Sequence, residues 1–86
     1  GTYAFDLFRS VNNGNGGYYS LEVDGVATNS VHMINDNDWN AFKWQHDVYP
    51  ENQPKIYLTK GKHTVKFIIG EGGNFNYKFI RFAYQQ

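Results

Sequence analysis

Two indoles and two amides, Trp39, Trp44, Asn74 and Asn76, are the side chains of this chain best suited to hold a ligand. An indole stacks on the apolar C–H face of a pyranose, and a carboxamide both donates to and accepts from ring hydroxyls. The plain alternative makes one or both tryptophans core residues. Trp44 is expected in the core, whereas Trp39, between Asp38 and Asn40 at a loop end, is expected at the surface. Covalent chemistry has far less to work with. The eight carboxylates include no pair recognisable as a glycosidase acid and nucleophile. No serine sits in a nucleophile elbow, so no enzymatic activity is expected. Gly70 to Gly73 is glycine-rich, but no helix follows it to lend its N-terminus to a phosphate. His32, His46 and His63 fall on different predicted strands and have no ligand spacing. Asn35 to Asp38 offers hard oxygen donors without the spacing of a calcium-binding EF-hand, and reads as a solvated loop.

The frame that must position these groups is small. Eighty-six residues make one domain, 1–86, which needs an efficient core to stand alone. There is no cysteine, so neither a disulfide nor a thiolate is available. Eight basic and eight acidic residues cancel, which argues against a nucleic-acid partner, since that needs a basic face. No apolar run is long enough to enter a membrane as a helix. The aromatic share is 19%, and glycine and asparagine are abundant. Aromatics favour pleated strands and glycine and asparagine favour turns, so the composition predicts an all-β fold.

Alternation along the chain predicts seven strands at short spacing, as in a β-sandwich or barrel. The first, Thr2 to Val11, sets Tyr3, Phe5 and Leu7 on one face, while Phe8 on the other implies that both faces are covered. Tyr18 to Val23 and Val26 to Ile34 flank Asp24-Gly25, a two-residue hairpin signal because both positions tolerate positive φ. Ala41 to Tyr49, Lys55 to Leu58, a strand from His63 to Ile69, and Tyr77 to Tyr84 complete the set. No segment keeps helical spacing, so little or no helix is expected. Strand one stands at the start of the sequence. Either its partners all lie downstream, or the chain is a piece of something longer.

The order of motifs resembles carbohydrate-binding module family 6 and its relatives in families 35 and 36, which are galactose-binding-like sandwiches. Gly1-Thr2-Tyr3 to Ser10 is similar to their Gly-x-Tyr strand, and Leu21 to Gly25 to their Asp-Gly hairpin. Trp39-Asn40-Ala41-Phe42 is similar to their Trp-x-x-aromatic element. Leu58 to Val65 matches a Leu-x-x-Gly-x-His-Thr turn, and Asn76 to Phe82 their last strand. The resemblance implies a jelly-roll β-sandwich of antiparallel strands, incomplete at its N-terminal side because members carry further strands there. It implies non-catalytic binding of a polysaccharide or oligosaccharide, with Trp39 stacking and Asn76 hydrogen-bonding. It also implies a secreted or cell-surface setting beside an appended catalytic domain. Members often hold a structural calcium with an aspartate at the position of Lys78, whose charge opposes a cation, so no cofactor is expected. The rival expectation is an assembly domain of a larger surface or secreted protein, completed by a partner chain or domain.

Overall fold

A computed structural model describes residues 1–11, 16–33, 38–70 and 75–85, apart from the side chain of Asp38. The chain is mostly β, in two antiparallel sheets. Eight strands are described: β1 (Thr2–Val11), β2 (Tyr18–Val23), β3 (Val26–Ala27), β4 (Val31–His32), β5 (Asp38–Trp44), β6 (Lys55–Tyr57), β7 (Val65–Ile69) and β8 (Phe75–Gln85). One helical turn, α1 (Gln45–Val48), follows β5.

The first sheet is built on β1. Along one side β1 pairs with β8 over its whole length, from Thr2↔Gln85 to Val11↔Phe75. On the other side it meets β6 at Thr2 to Ala4 and β5 at Phe8 to Val11. All its partners therefore come from downstream. The second sheet is built on β2, with β7 on one side and β3 and β4 end to end on the other. Phe5, Leu7 and Val11 of β1 and Ile56 of β6 pack against Tyr19 and Leu21 of β2, Val31 and Met33. Alternation made this possible, since a period of two delivers every second residue to one face.

Between its two short partners β1 has no strand beside Phe5 to Leu7, yet a buried backbone must be hydrogen-bonded. Other groups stand in there. Pro54 O accepts from the Phe5 amide, the Gln53 side-chain amide donates to Phe5 O, and the Asp6 carboxylate accepts from the Leu7 amide. The turn α1 closes the gap by donating its His46 amide to the same Asp6 oxygen, at 3.0 Å.

The face of β1 turned away from the core is also covered. Phe8 lies within ring contact of Phe42, Trp44 and Phe79, with centroids 5.2 to 5.8 Å apart. A register shift in the β1–β8 pairing reinforces this cluster. Phe8 opposes Phe79 while Arg9 opposes Tyr77, which leaves Lys78 as an extra residue. The bulge turns Tyr77 toward Phe67 in the core, and Phe79 toward Phe8 outside it.

Several local expectations need correction. The Asp24-Gly25 hairpin forms, with φ of 50° and 87° as its turn requires. Its return strand, however, is not continuous from Val26 to Ile34. After Ala27 the Thr28 hydroxyl accepts from the Leu21 amide in place of a strand bond, and pairing resumes only at Val31. The strand expected from Ala41 to Tyr49 starts earlier and stops at Trp44, because Gln45 to Val48 coil to meet the buried Asp6. The last strand is longer than Tyr77 to Tyr84 by the residues that pair with Thr2, Ser10 and Val11.

One part of the core face stays open. Ile80, Phe82 and Tyr84 align with Leu7, Phe5 and Tyr3 and so share their face, but they are 48%, 39% and 63% exposed. Among the described residues, no strand of the second sheet pairs beyond β7 to cover them. Phe5→Ala should therefore cost about 3–5 kcal/mol in urea unfolding, as for a filled core site. Its cross-strand neighbour gives the contrast, because Phe82→Ala should cost less than half as much. Equal costs would mean that the β8 face is covered after all.

Candidate functional site

The register of the first sheet decides which candidate side chains can act together. Val11 opposes Asp38 of β5 on one side and Phe75 of β8 on the other, and Ser10 opposes Asn76. Trp39 and Asn76 therefore flank the same end of β1, with one strand between them. Their strands are two inter-strand spacings apart, or roughly 10 Å. Asn76 is exposed and Trp39 partly buried, so the ring is neither a core residue nor a free one. Beside Asn76, the buried Ser10 hydroxyl has no hydrogen-bond partner among the described residues. A buried hydroxyl left unpaired is costly, and such groups cluster where a ligand or water completes the bonding. Asn74 lies outside the described residues.

Trp44 is not in the core, contrary to the sequence reading. Its register with Phe8 sets it on the opposite face of β1, where it is half-buried. It is also not free to stack on a ligand from both sides. The Arg81 guanidinium lies 4.1 Å from the ring centroid, a cation–π contact. Arg81 in turn donates to Asp6 at 3.1 Å and approaches Asp47 at 3.9 Å. Trp44 thus belongs to a packed cluster, away from the Trp39–Asn76 end.

Lys78, where the resemblance sets a calcium-holding aspartate, points its ammonium at the Phe42 ring, 4.3 Å from the centroid. Among the described residues no three His, Cys, Asp or Glu side chains gather into a metal-holding group. The three histidines are instead engaged separately. His32 stacks on Tyr18, with centroids 4.6 Å apart. His46 faces the Tyr49 carbonyl through Nδ1 at 3.1 Å. A carbonyl only accepts, so Nδ1 carries the proton and Nε2 accepts from the Tyr19 hydroxyl at 2.7 Å. Burial holds His46 below its ordinary value of 6.5, in keeping with that neutral ring. Burial likewise raises the Tyr19 phenol well above its ordinary range, and the nearby Asp6 charge adds to the effect.

His63 is the reverse case. Its Nδ1 lies 2.7 Å from the Asp24 carboxylate and its Nε2 2.7 Å from the Thr59 carbonyl. Both of these partners only accept, an arrangement that favours a protonated ring donating from both nitrogens. The Asp24 hydrogen bond, then the Thr59 carbonyl, raise His63 above 6.5. The hydrogen bonds from His63, then from the Thr64 amide, lower Asp24 below 3.8. Sequence alignment to a motif singled out this histidine, but no periodicity indicated its partner 39 residues away.

Two grooves are described, and neither contains Trp39 or Asn76. One, of about 500 Å³, lies between β4 and the segment from Val48 to Asn52. The other, of about 430 Å³, lies where β6 faces the β2–β3 hairpin. The sequence carried no signal for either, because each is made by two elements distant in the chain. No protein-family model, curated protein or solved structure matches this chain.

The two histidines tie stability to pH in opposite senses. His63 binds its proton more tightly folded than unfolded. Its contribution is therefore full below pH 6.5 and fades as pH rises through its raised pKa. The depressed Asp24 contributes above 3.8 and loses that as pH falls through its lowered value. His46, depressed, contributes above 6.5 and loses that on acidification. The stability gap between the parent and His63→Gln should thus be wider at about pH 6 than at about pH 9, by urea unfolding. A gap that does not narrow would mean that His63 is not protonated in the folded chain.

Proposed function

We propose that this chain is a non-catalytic carbohydrate-binding domain, a jelly-roll β-sandwich akin to carbohydrate-binding module families 6, 35 and 36. The observation that carries the reading is the convergence of Trp39 and Asn76 on one end of β1. The Ser10 hydroxyl beside Asn76, buried and without a partner among the described residues, adds a polar group to this end. In this reading the Trp39 indole meets the apolar face of a pyranose while the Asn76 amide bonds its hydroxyls. Trp44, the other indole candidate, packs in the cluster with Arg81 instead. Asn74 remains a candidate from the sequence alone. The ligand is a polysaccharide or oligosaccharide, held weakly at a shallow surface and gaining strength from repeated sites or a tethered enzyme. A secreted or cell-surface setting goes with this reading. The test is titration with soluble polysaccharides on Trp44→Phe, which leaves Trp39 as the only indole fluorophore. Its emission should shift on binding. Trp39→Ala and Asn76→Ala should each weaken binding about tenfold or more, in line with the loss of a stacking contact or a buried hydrogen bond. Binding unchanged in Trp39→Ala would overturn the site.

A second reading is favoured by one specific observation, the open side of β8. Among the described residues that strand pairs only with β1, and Tyr77, Phe79, Ile80, Phe82 and Tyr84 along it are each 39% exposed or more. An unpaired apolar edge recruits another strand. The chain would then be an assembly domain whose sheet is completed by a partner. Sedimentation of the isolated chain separates the two. A monomer that stays soluble at high concentration counts against obligatory completion, and concentration-dependent association supports it.

A further inference from the structure

The pairing of β1 fixes which backbone groups of β8 are left over. Gly1 and Leu58 exchange both backbone bonds, and Phe5 donates to Pro54 O, so the odd-numbered residues of β1 bond toward β6. Its even-numbered residues therefore bond toward β8, at Ala4↔Ala83, Asp6↔Arg81 and Phe8↔Phe79. The N–H and C=O groups of Ile80, Phe82 and Tyr84 consequently point away from β1, along the free edge. Among the described residues they have one partner, the Gln85 side-chain amide, which donates to Tyr84 O at 3.5 Å. The side chains of the same three residues are 48%, 39% and 63% exposed on the core side of the sheet. One regular strip thus combines open backbone with open apolar side chains.

Sheet edges are ordinarily blunted by charge, proline or a bulge. β6, on the other side of β1, has Pro54 before it and the exposed Lys55 within it. On β8 the bulge at Lys78 stops short of Ile80. The two cations of β8 are engaged on the outer face of the sheet, Lys78 over the Phe42 ring and Arg81 with Asp6 and Trp44. Neither needs an acid from a partner. What the strip from Ile80 to Tyr84 asks of a partner is alternate apolar side chains on one face, and β8 itself offers them. Eight basic and eight acidic residues leave no net charge to hold two copies apart at neutral pH.

We propose that β8 pairs with β8 of a second copy of this chain, antiparallel about a two-fold axis at Phe82, so that two first sheets become one. A two-fold axis makes the contacts reciprocal. Centred on Phe82, that residue opposes its own copy and Ile80 opposes Tyr84. All the outward backbone groups then bond, and the apolar side chains meet on one face. Arg81 faces Ala83 of the second copy. Centring on Arg81 would set two guanidinium groups opposite each other, and centring on Ile80 would bring the Lys78 bulge into the ladder. Phe79, Ile80, Phe82, Tyr84 and the backbone strip of both copies together bury on the order of 1,000 Å², the lower bound for a specific interface, so the dimer is reversible. The Trp39–Asn76 end of β1 lies outside the overlap, which keeps sugar binding and pairing independent. The inference names the partner in the assembly reading above and rests on that reading.

The test combines sedimentation of the full chain with single introduced cysteines, since the parent has none. The parent should pass from monomer to dimer between roughly 1 and 300 μM, as a small interface implies. Phe82→Lys sets like charges on the axis and should weaken association more than about tenfold, whereas Tyr57→Lys on the β6 edge should leave it unchanged. Tyr84→Lys, at the most exposed of the three positions, should act as Phe82→Lys does and covers the case in which the latter fails to fold. Under mild oxidation Phe82→Cys should cross-link, because its Cα meets its copy at about 5.5 Å, within disulfide reach. Ile80→Cys and Tyr84→Cys, each roughly 14 Å from its copy, should not. A chain that stays monomeric overturns the proposal and counts against the assembly reading as well. Association that survives both lysine variants, or Ile80→Cys cross-linking as readily as Phe82→Cys, overturns this pairing and leaves the assembly reading standing.

Discussion

The fold depends on how the Asp6 carboxylate is satisfied. Asp6 is 2% exposed, and a buried charge is tolerated only when paired and hydrogen-bonded. One of its oxygens accepts from the Leu7 and His46 amides, and the other from Arg81. These bonds join three pieces, the gap in the β1 ladder, the turn α1 and the last strand. Arg9, wholly buried on the other face of β1, is held from the same turn by the Gln45 side chain at 2.7 Å. Gln45 reaches on to the His32 carbonyl, and His46 to the Tyr19 hydroxyl. A helical turn of four residues thus links both sheets through polar contacts, and it forms because it is needed there rather than from any propensity of its own.

This arrangement divides the molecule into regions of different character. Around α1 the polar groups are buried and the network is closed. At the two ends of β1 the partners differ, and each end leaves groups without partners among the described residues. One end has the Ser10 hydroxyl with Trp39 and Asn76 on either side. The other has the short edge strand β6, with Lys55 and Tyr57 turned outward. The side of β8 is apolar and open.

Much of this was legible in the residues. Alternation of Tyr3, Phe5 and Leu7 marks the core face of β1, and Phe8 announces that the other face is covered too. Asp24-Gly25 marks its hairpin, because few residues accept positive φ in succession. The helical turn was hidden, since Gln45-His46-Asp47-Val48 is too short to show a period and its reason lies in Asp6, 40 residues away. Trp44 was misjudged for a similar cause. An indole in an alternating strand has a face assigned by its pairing, and the pairing of Trp44 with Phe8 is not visible from β5 alone.

Composition and period-two patterning by themselves determined the strand-rich class, the positions of most strands and the two faces of β1. They could do so because backbone geometry alone sends successive side chains to opposite sides. Only the tertiary structure decided which of those faces another sheet covers. Ile80, Phe82 and Tyr84 carry the same pattern as Leu7, Phe5 and Tyr3, yet half of that surface meets solvent. Burial is a property of what lies opposite, which a strand does not encode. The same holds for the Trp39–Asn76 pair and the β6 groove, each created when elements far apart in the chain pair with, or face, the two ends of β1.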